Sequence, residues 1–222
     1  MDKEILTIGK RQAAVFLPSG CTDCPIVYTH LSAEDAASVS VQLINLSAVL
    51  VAIDGVEWEA ELSPWPAQKA FRGGIDFTGK AEEYLQELCE IILPSVEGSF
   101  NLTPRSRSIA GYSLAGLFAV YALYKTELFH SAASISGSLW YDDFLDYMKE
   151  NRPCKLPERV YFSLGDRESI TNNQRLSKVE QCTREAEQLL SRLGTKTTFE
   201  LNPGNHFADV TERIAKGIRW LL

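Results

Sequence analysis

Ser113 stands in Arg107-Ser108-Ile109-Ala110-Gly111-Tyr112-Ser113-Leu114-Ala115-Gly116, where a short apolar run meets a serine flanked by small residues. A helical pattern (Leu117, Val120, Tyr121, Tyr124) starts at once. This is the layout of a nucleophile elbow, a sharp strand-to-helix turn that presents a serine hydroxyl. The strained turn brings the residues two before and two after the serine together, so both must be small; Gly111 and Ala115 occupy those places. The turn also aims the backbone N–H of Leu114 at the place where an oxyanion would form, beside a helix N-terminus that favours negative charge. The chemistry on offer is nucleophilic attack. The same ten residues also suit a tight strand–helix turn with an inert serine, so partners decide.

A serine hydroxyl is a weak nucleophile near neutrality and needs a base within hydrogen-bond reach. The chain has three histidines. His206 follows the last strand-like run in an Asn-Pro-Gly-Asn turn, which suits a base; His30 and His130 read as packed or solvated residues. An orienting carboxylate is expected between Ser113 and His206. Asp166 and Glu168 sit on a turn opened by Gly165. Glu168 lies further into that loop and has the better reach; Asp166 is the alternative acid. Asp142 and Asp143 follow the preceding strand as more remote choices, and a Ser113–His206 dyad would need none of them.

The elements that must position these groups alternate strand and helix, which points to an α/β fold with a βαβ-type sheet. Strands are expected over residues 13–17, 25–29, 49–53, 132–135, 159–164 and 197–201, with the elbow strand before Ser113. Helices are expected from Ser32, a Ser N-cap, over 80–96 with Tyr84, Leu85, Leu88, Ile91 and Ile92 on one face, over 173–193 ending at Gly194, and over 208–222. Residues 57–79 are rich in Trp, Pro and Gly and read as a lid or pocket-wall loop. Trp65, Phe71, Phe77 and Trp140 are the candidate substrate-binding walls, although each such residue is more often part of core or lid packing. No repeat or composition break divides residues 1–222, so one domain is expected.

The chain has 222 residues, 45% hydrophobic and 23% charged, with a net charge of −7. That balance argues against a nucleic-acid or anionic-membrane partner and gives no pull on anionic substrates. The charged start Met1-Asp2-Lys3-Glu4 lacks an apolar signal core, and no run approaches the ~20 apolar residues of a membrane span. Five cysteines, an odd number, fit reduced thiols in the cytoplasm better than a disulfide framework. Cys21 and Cys24 form a C-x-x-C pair, but Pro25 and a strand follow where a redox motif would open a helix, and no second pair completes a zinc site. They read as a structural or incidental loop. No metal or organic cofactor is implied, and nothing bears on oligomeric state.

Beyond the elbow, several stretches resemble the esterase D-like ("putative esterase") branch of the α/β-hydrolases, which includes siderophore trilactone esterases, feruloyl esterases and S-formylglutathione hydrolase. They are Leu62-Ser63-Pro64-Trp65-Pro66-Ala67, Phe71-Arg72-Gly73-Gly74-Ile75-Asp76-Phe77, Lys80-Ala81-Glu82-Glu83-Tyr84-Leu85 with Ile92-Leu93-Pro94, and Ser136-Gly137-Ser138-Leu139-Trp140. The likeness runs from about residue 25 to 222, nearest to bacterial predicted hydrolases beside the siderophore esterases. It implies a three-layer α/β-hydrolase fold, with a mostly parallel central sheet and helices on both faces. It implies a serine esterase in which Ser113 is the nucleophile, His206 the base, Glu168 the acid and Leu114 one oxyanion donor. The second donor matches Leu31, where relatives have His-Gly and this chain has His30-Leu31. Ala115 replaces a usual glycine, and Tyr112 has no evident reason in sequence. The amino-terminal region is short for the family, which implies that a first antiparallel strand is missing. The partner is then a small-molecule ester; siderophores, aryl esters, thioesters and sugar acetates all remain open. A thioesterase or peptidase with the same triad, or a non-catalytic binding protein on this fold, are the alternatives.

Overall fold

Strands buried on both faces read as continuous apolar runs, and this chain has several: Val49–Asp54, Arg107–Tyr112, Ser131–Ile135 and Arg159–Gly165 are buried along almost their whole length. In the computed structural model, which describes all 222 residues, these runs form the middle of an eight-stranded sheet. In chain order the elements begin with β1 (Asp2–Ile8), β2 (Arg11–Leu17), β3 (Ile26–Thr29), α1 (Ala33–Gln42), β4 (Val49–Asp54) and α2 (Trp58–Glu61). A two-stranded ribbon follows, β5 (Pro66–Ala67) with β6 (Phe77–Thr78), then α3 (Ala81–Glu87), a π turn over Leu88–Ile92 and α4 (Leu93–Ser99). The second half runs β7 (Arg107–Tyr112), α5 (Leu114–Leu123), β8 (Ser131–Ile135), α6 (Phe144–Glu150), β9 (Arg159–Gly165), α7 (Val179–Arg192), β10 (Lys196–Asn202) and α8 (Val210–Leu221).

The strand order is β1-β2-β4-β3-β7-β8-β9-β10, with β1–β2 and β2–β4 antiparallel and the rest parallel. Period-2 alternation sorts each strand between two cores. Val51 and Ile53 face one with α3, α4, α5 and α7; Leu50 and Ala52 face the other with α1 and α8. This is the expected three-layer architecture. Ser32 caps α1 through an Asp35 N–H bond of 3.1 Å, as its sequence position predicts. No helix is long and apolar enough to cross a membrane.

Three expectations are corrected. The first antiparallel strand is present: β1 pairs with β2 over Asp2↔Leu17 to Ile8↔Arg11. It is an edge strand with most of its residues exposed, so no apolar alternation advertises it. Ile91 is 52% exposed while Ile92 is fully buried. The π turn, closed by Leu93 N–H to the Leu88 carbonyl, inserts one residue and rotates Ile91 off the buried face. Pro94, without an N–H to complete the next helical bond, follows directly. Finally, Cys21 and Cys24 are joined in a disulfide, with Cα atoms 5.8 Å apart, in place of two free thiols; Cys89, Cys154 and Cys182 are free. The turn before β3 folds the pair into the Cα range that a disulfide needs.

Residues 57–79 are a structured wall, not an irregular loop. They carry α2 and the β5–β6 ribbon, and cross-chain bonds tie them down. Asn173 Nδ2 donates to the Ala70 carbonyl at 2.7 Å, and Arg175 Nη1 to that of Gln68 at 2.7 Å.

Candidate active site

Gly111 permits the turn at Ser113. A Cβ on Gly111 would lie 2.0 Å from the Ala115 carbonyl oxygen, so only hydrogen fits there. The steric demand falls on Gly111, two residues before the serine; at position 115 the backbone makes the contact, which is why alanine is accommodated. Ser113 itself has φ 57° and ψ −121°, a strained region for a residue with a side chain. Four backbone bonds hold it: its N–H donates to the Ile135 carbonyl at 3.0 Å, and its carbonyl accepts from Gly116, Leu117 and Ser138 at 3.0, 3.2 and 3.0 Å. The serine is thus pinned between the carboxyl ends of β7 and β8, at the first turn of α5.

The other groups come from the next strands along the same edge, where open α/β sheets gather their ligands. Glu168 lies on the turn after β9 and His206 on the turn after β10. His206 Nε2 is 3.1 Å from Ser113 Oγ, and His206 Nδ1 is 2.7 Å from Glu168 Oε2. The 93 positions between Ser113 and His206 are closed by the parallel register of β7 to β10. Gly165 lets the two turns touch, since a Cβ there would meet the Gly204 carbonyl oxygen at 2.3 Å.

The Glu168 side chain is 4% exposed, and its environment is polar on every side. Its Oε1 accepts from Ser136 Oγ at 2.7 Å and from the Gly165 N–H at 2.5 Å, with Arg213 Nη1 at 3.4 Å. Burial by itself would raise its pKa. The bonds from His206, Gly165 and Ser136 outweigh that and hold the carboxyl below its ordinary value. The group is therefore a carboxylate, which fixes the His206 proton on Nδ1 and leaves Nε2 free to accept from Ser113.

Asp166, the alternative acid, has a different task. Its Oδ1 accepts the Gly204 N–H at 2.9 Å, stapling the histidine turn to the β9 turn. Asp142 pairs with Arg175 at 2.9 Å, and Asp143 sits in a left-handed conformation before α6. His30 is buried, its Nε2 2.8 Å from the Tyr84 hydroxyl, and burial pushes its pKa down to about 3, so it is neutral. His130 Nδ1 accepts the Arg107 N–H at 3.3 Å.

Two residues at the site had no signal in sequence. Tyr112 donates its hydroxyl to the His206 carbonyl, and its ring lies 5.2 Å from the imidazole. Arg213, 2% exposed on α8, donates to the Pro203 and Asn205 carbonyls at 2.7 and 3.1 Å while facing Glu168. It grips the histidine turn from beneath.

Ser113, Leu114, Glu168 and His206 open on a cavity of about 370 Å³. Phe71, Phe77 and Trp140 line it. Trp65 is not among its walls: its indole donates to the Asp142 carbonyl at 3.0 Å and packs against Tyr141, Phe144 and Tyr147. Trp58, from α2, lines the cavity in its place, with no motif in the sequence to mark it. Leu31 lies in a neighbouring cavity of about 260 Å³ that shares Trp58 with the first. Thr29, the last residue of β3, is paired with Ala110 of β7, and Leu31, two residues further on, lines the smaller cavity together with Tyr112.

The chain is 28% identical to the uncharacterized protein YbbA of Bacillus subtilis (strain 168), over 96% of this chain and 93% of that one. Among solved structures, it superposes on an IroE-like serine hydrolase from Shewanella oneidensis with a TM-score of 0.82 at 18% identity, covering 99% of this chain and 80% of that one. Siderophore hydrolase EstA from Aspergillus nidulans gives 0.71 at 19% identity, covering 99% and 93%. These likenesses show a shared α/β-hydrolase fold. The esterase family described as "Putative esterase" matches residues 7–220, nearly the whole length. The chain belongs to that esterase family.

Proposed function

We propose that this protein is a serine esterase that cleaves a small-molecule carboxylic ester through an acyl-enzyme on Ser113. One observation carries the reading: a single imidazole bridges the Ser113 hydroxyl and a buried carboxylate, at 3.1 and 2.7 Å. His206 Nε2 accepts the Ser113 proton as Oγ bonds to the ester carbonyl carbon, leaving a tetrahedral oxyanion. The Leu114 N–H, at the start of α5, stabilises that charge, with the Leu31 N–H as the second donor that the family resemblance implies; losing one such donor typically costs ~10²–10³ in rate. Collapse breaks the ester C–O bond, and the departing alkoxide takes the proton from His206. Water, deprotonated by His206, then attacks the acyl carbon and releases the acid with Ser113 restored. Glu168 holds the imidazole tautomer and stabilises its charged form.

Hydrolysis of p-nitrophenyl acetate by wild type and Ser113→Ala tests this. The variant is expected to fold normally and to lose at least about 10³-fold in kcat. Wild-type rates in a folded Ser113→Ala protein would remove Ser113 as the nucleophile.

A further inference from the structure

Eleven large hydrophobic side chains of this protein are exposed, and four of them, Phe71, Ile75, Ile170 and Phe207, line the mouth of one cavity, the one holding Ser113 and His206. Phe207 and Ile170 are the two most exposed of all, at 82% and 76%. The other seven are distributed over β1, α1, β10 and several turns, as scattered surface apolar residues ordinarily are. A cluster of this kind marks a place where apolar surface is covered in use.

The collar is held in place rather than left to collapse inward. Phe71 and Ile75 stand on the loop between β5 and β6, where Gly74 N–H donates to the Phe71 carbonyl at 3.1 Å and Lys69 N–H to Asp76 Oδ1 at 2.9 Å. The Ala70 and Gln68 carbonyls of the same loop are tied to Asn173 and Arg175. Phe207 directly follows His206; its N–H donates to Asn205 Oδ1 at 3.0 Å, and its ring meets the imidazole edge-on at 5.3 Å. Ile170 N–H donates to the Arg167 carbonyl at 3.2 Å. The charged groups along the cavity are two acids, Glu59 and Glu168, and two bases, Lys69 and Arg167. They give no excess of either sign to draw a multiply charged ligand.

We infer that the ester carries an extended uncharged apolar group, an alkyl chain of roughly six carbons or more, which leaves the cavity across Phe71, Ile75, Ile170 and Phe207 and covers them. This inference rests on the serine-esterase reading and adds the substrate class. A bound chain lying on a half-exposed apolar collar gains roughly twofold in kcat/KM per methylene, about half of what full burial yields.

The test is kcat/KM for p-nitrophenyl acetate, butyrate and octanoate and for ethyl acetate and octyl acetate, with wild type, Ile170→Ser and Ile75→Ser. Both substitutions are at exposed positions remote from the core, and melting temperature checks that folding is unchanged. The octanoyl ester or octyl acetate is expected to exceed its short counterpart by about thirtyfold or more, the favoured arm showing which side of the ester crosses the collar. Each variant is expected to cut that preference several-fold while changing acetate turnover less than about twofold. Equal rates for short and long esters, or a chain-length preference untouched in both variants, would overturn the inference while leaving the esterase reading intact. Failure to cleave any ester, with no fluorophosphonate adduct on Ser113, would instead strike the esterase reading itself.

Discussion

At the scale of single residues, the site separates two carboxylates that differ by only two positions in the chain. Glu168 is buried against the imidazole, whereas Asp166 is half exposed and accepts a backbone N–H. Glu168→Gln is therefore expected to lower kcat by about 10²-fold or more, since it removes the charge that orients and stabilises the imidazole. Asp166→Asn, which can still accept from Gly204, is expected to stay within about tenfold of wild type. The reverse ranking in steady-state kinetics would reassign the acid. Arg213 makes a third case. Replacing it with Gln leaves two turn carbonyls and the Glu168 carboxylate without their cation, a loss of about 3 kcal/mol or more for a buried partner of this kind. Urea unfolding is expected to show that loss in Arg213→Gln and a smaller one in Arg213→Lys; an unchanged midpoint in the Gln variant would deny Arg213 its grip. Ser113, His206 and Glu168 were legible because elbow, turn and chain order are local signals. Arg213 was not, because an arginine beside Ile214 and Ala215 on an amphipathic helix looks like a solvated charge until the loop above it is known.

At the scale of elements, the elbow depends on one missing methyl group. Gly111→Ala would drive a Cβ into the Ala115 carbonyl and force the β7–α5 junction apart. A stability loss of about 1–3 kcal/mol is expected, with hydrolysis largely abolished as Ser113 leaves the reach of His206. Calorimetry and ester kinetics read both effects, and a variant with native stability and rate would show that the turn has slack. The parallel strands were visible in sequence because two-sided burial leaves no choice but continuous apolar runs. β1 was hidden because an edge strand with exposed residues carries no such pattern, and its pairing is decided by the Gly9-Lys10 turn, where Gly9 has φ 57°. Ile91 was misplaced because periodicity assumes one helical pitch, and the π turn changes it within a single helix.

At the scale of the whole molecule, the wall that closes the cavity is anchored to the sheet by a buried charge cluster. Arg11 of β2, 1% exposed, pairs with Glu61 of α2 at 2.7 Å and with Glu87 of α3 at 2.5 Å. Burial would raise the Glu61 carboxyl. Bonds from Arg11, the Glu57 N–H and Lys10 outweigh it and push the pKa down to about 2. A depressed carboxylate contributes stability that is complete above its unfolded value, near 4.5, and lost as the pH falls toward 2. Thermal melts from about pH 5 to pH 2.5 are expected to fall more steeply for wild type than for Glu61→Gln. Parallel curves would mean that the pair does not hold the wall. None of this was readable from Arg11 and Glu61 alone, fifty positions apart and unremarkable in their local sequence.

The proposed esterase activity depends on activation of the Ser113 hydroxyl by His206. Labelling with a fluorophosphonate probe, read by peptide mass spectrometry, tests it most directly. The wild-type protein is expected to carry one adduct, on Ser113, with labelling slowed by at least about 10²-fold in His206→Ala and absent in Ser113→Ala. An unlabelled wild-type protein, or an adduct on another serine that survives in both variants, would contradict it.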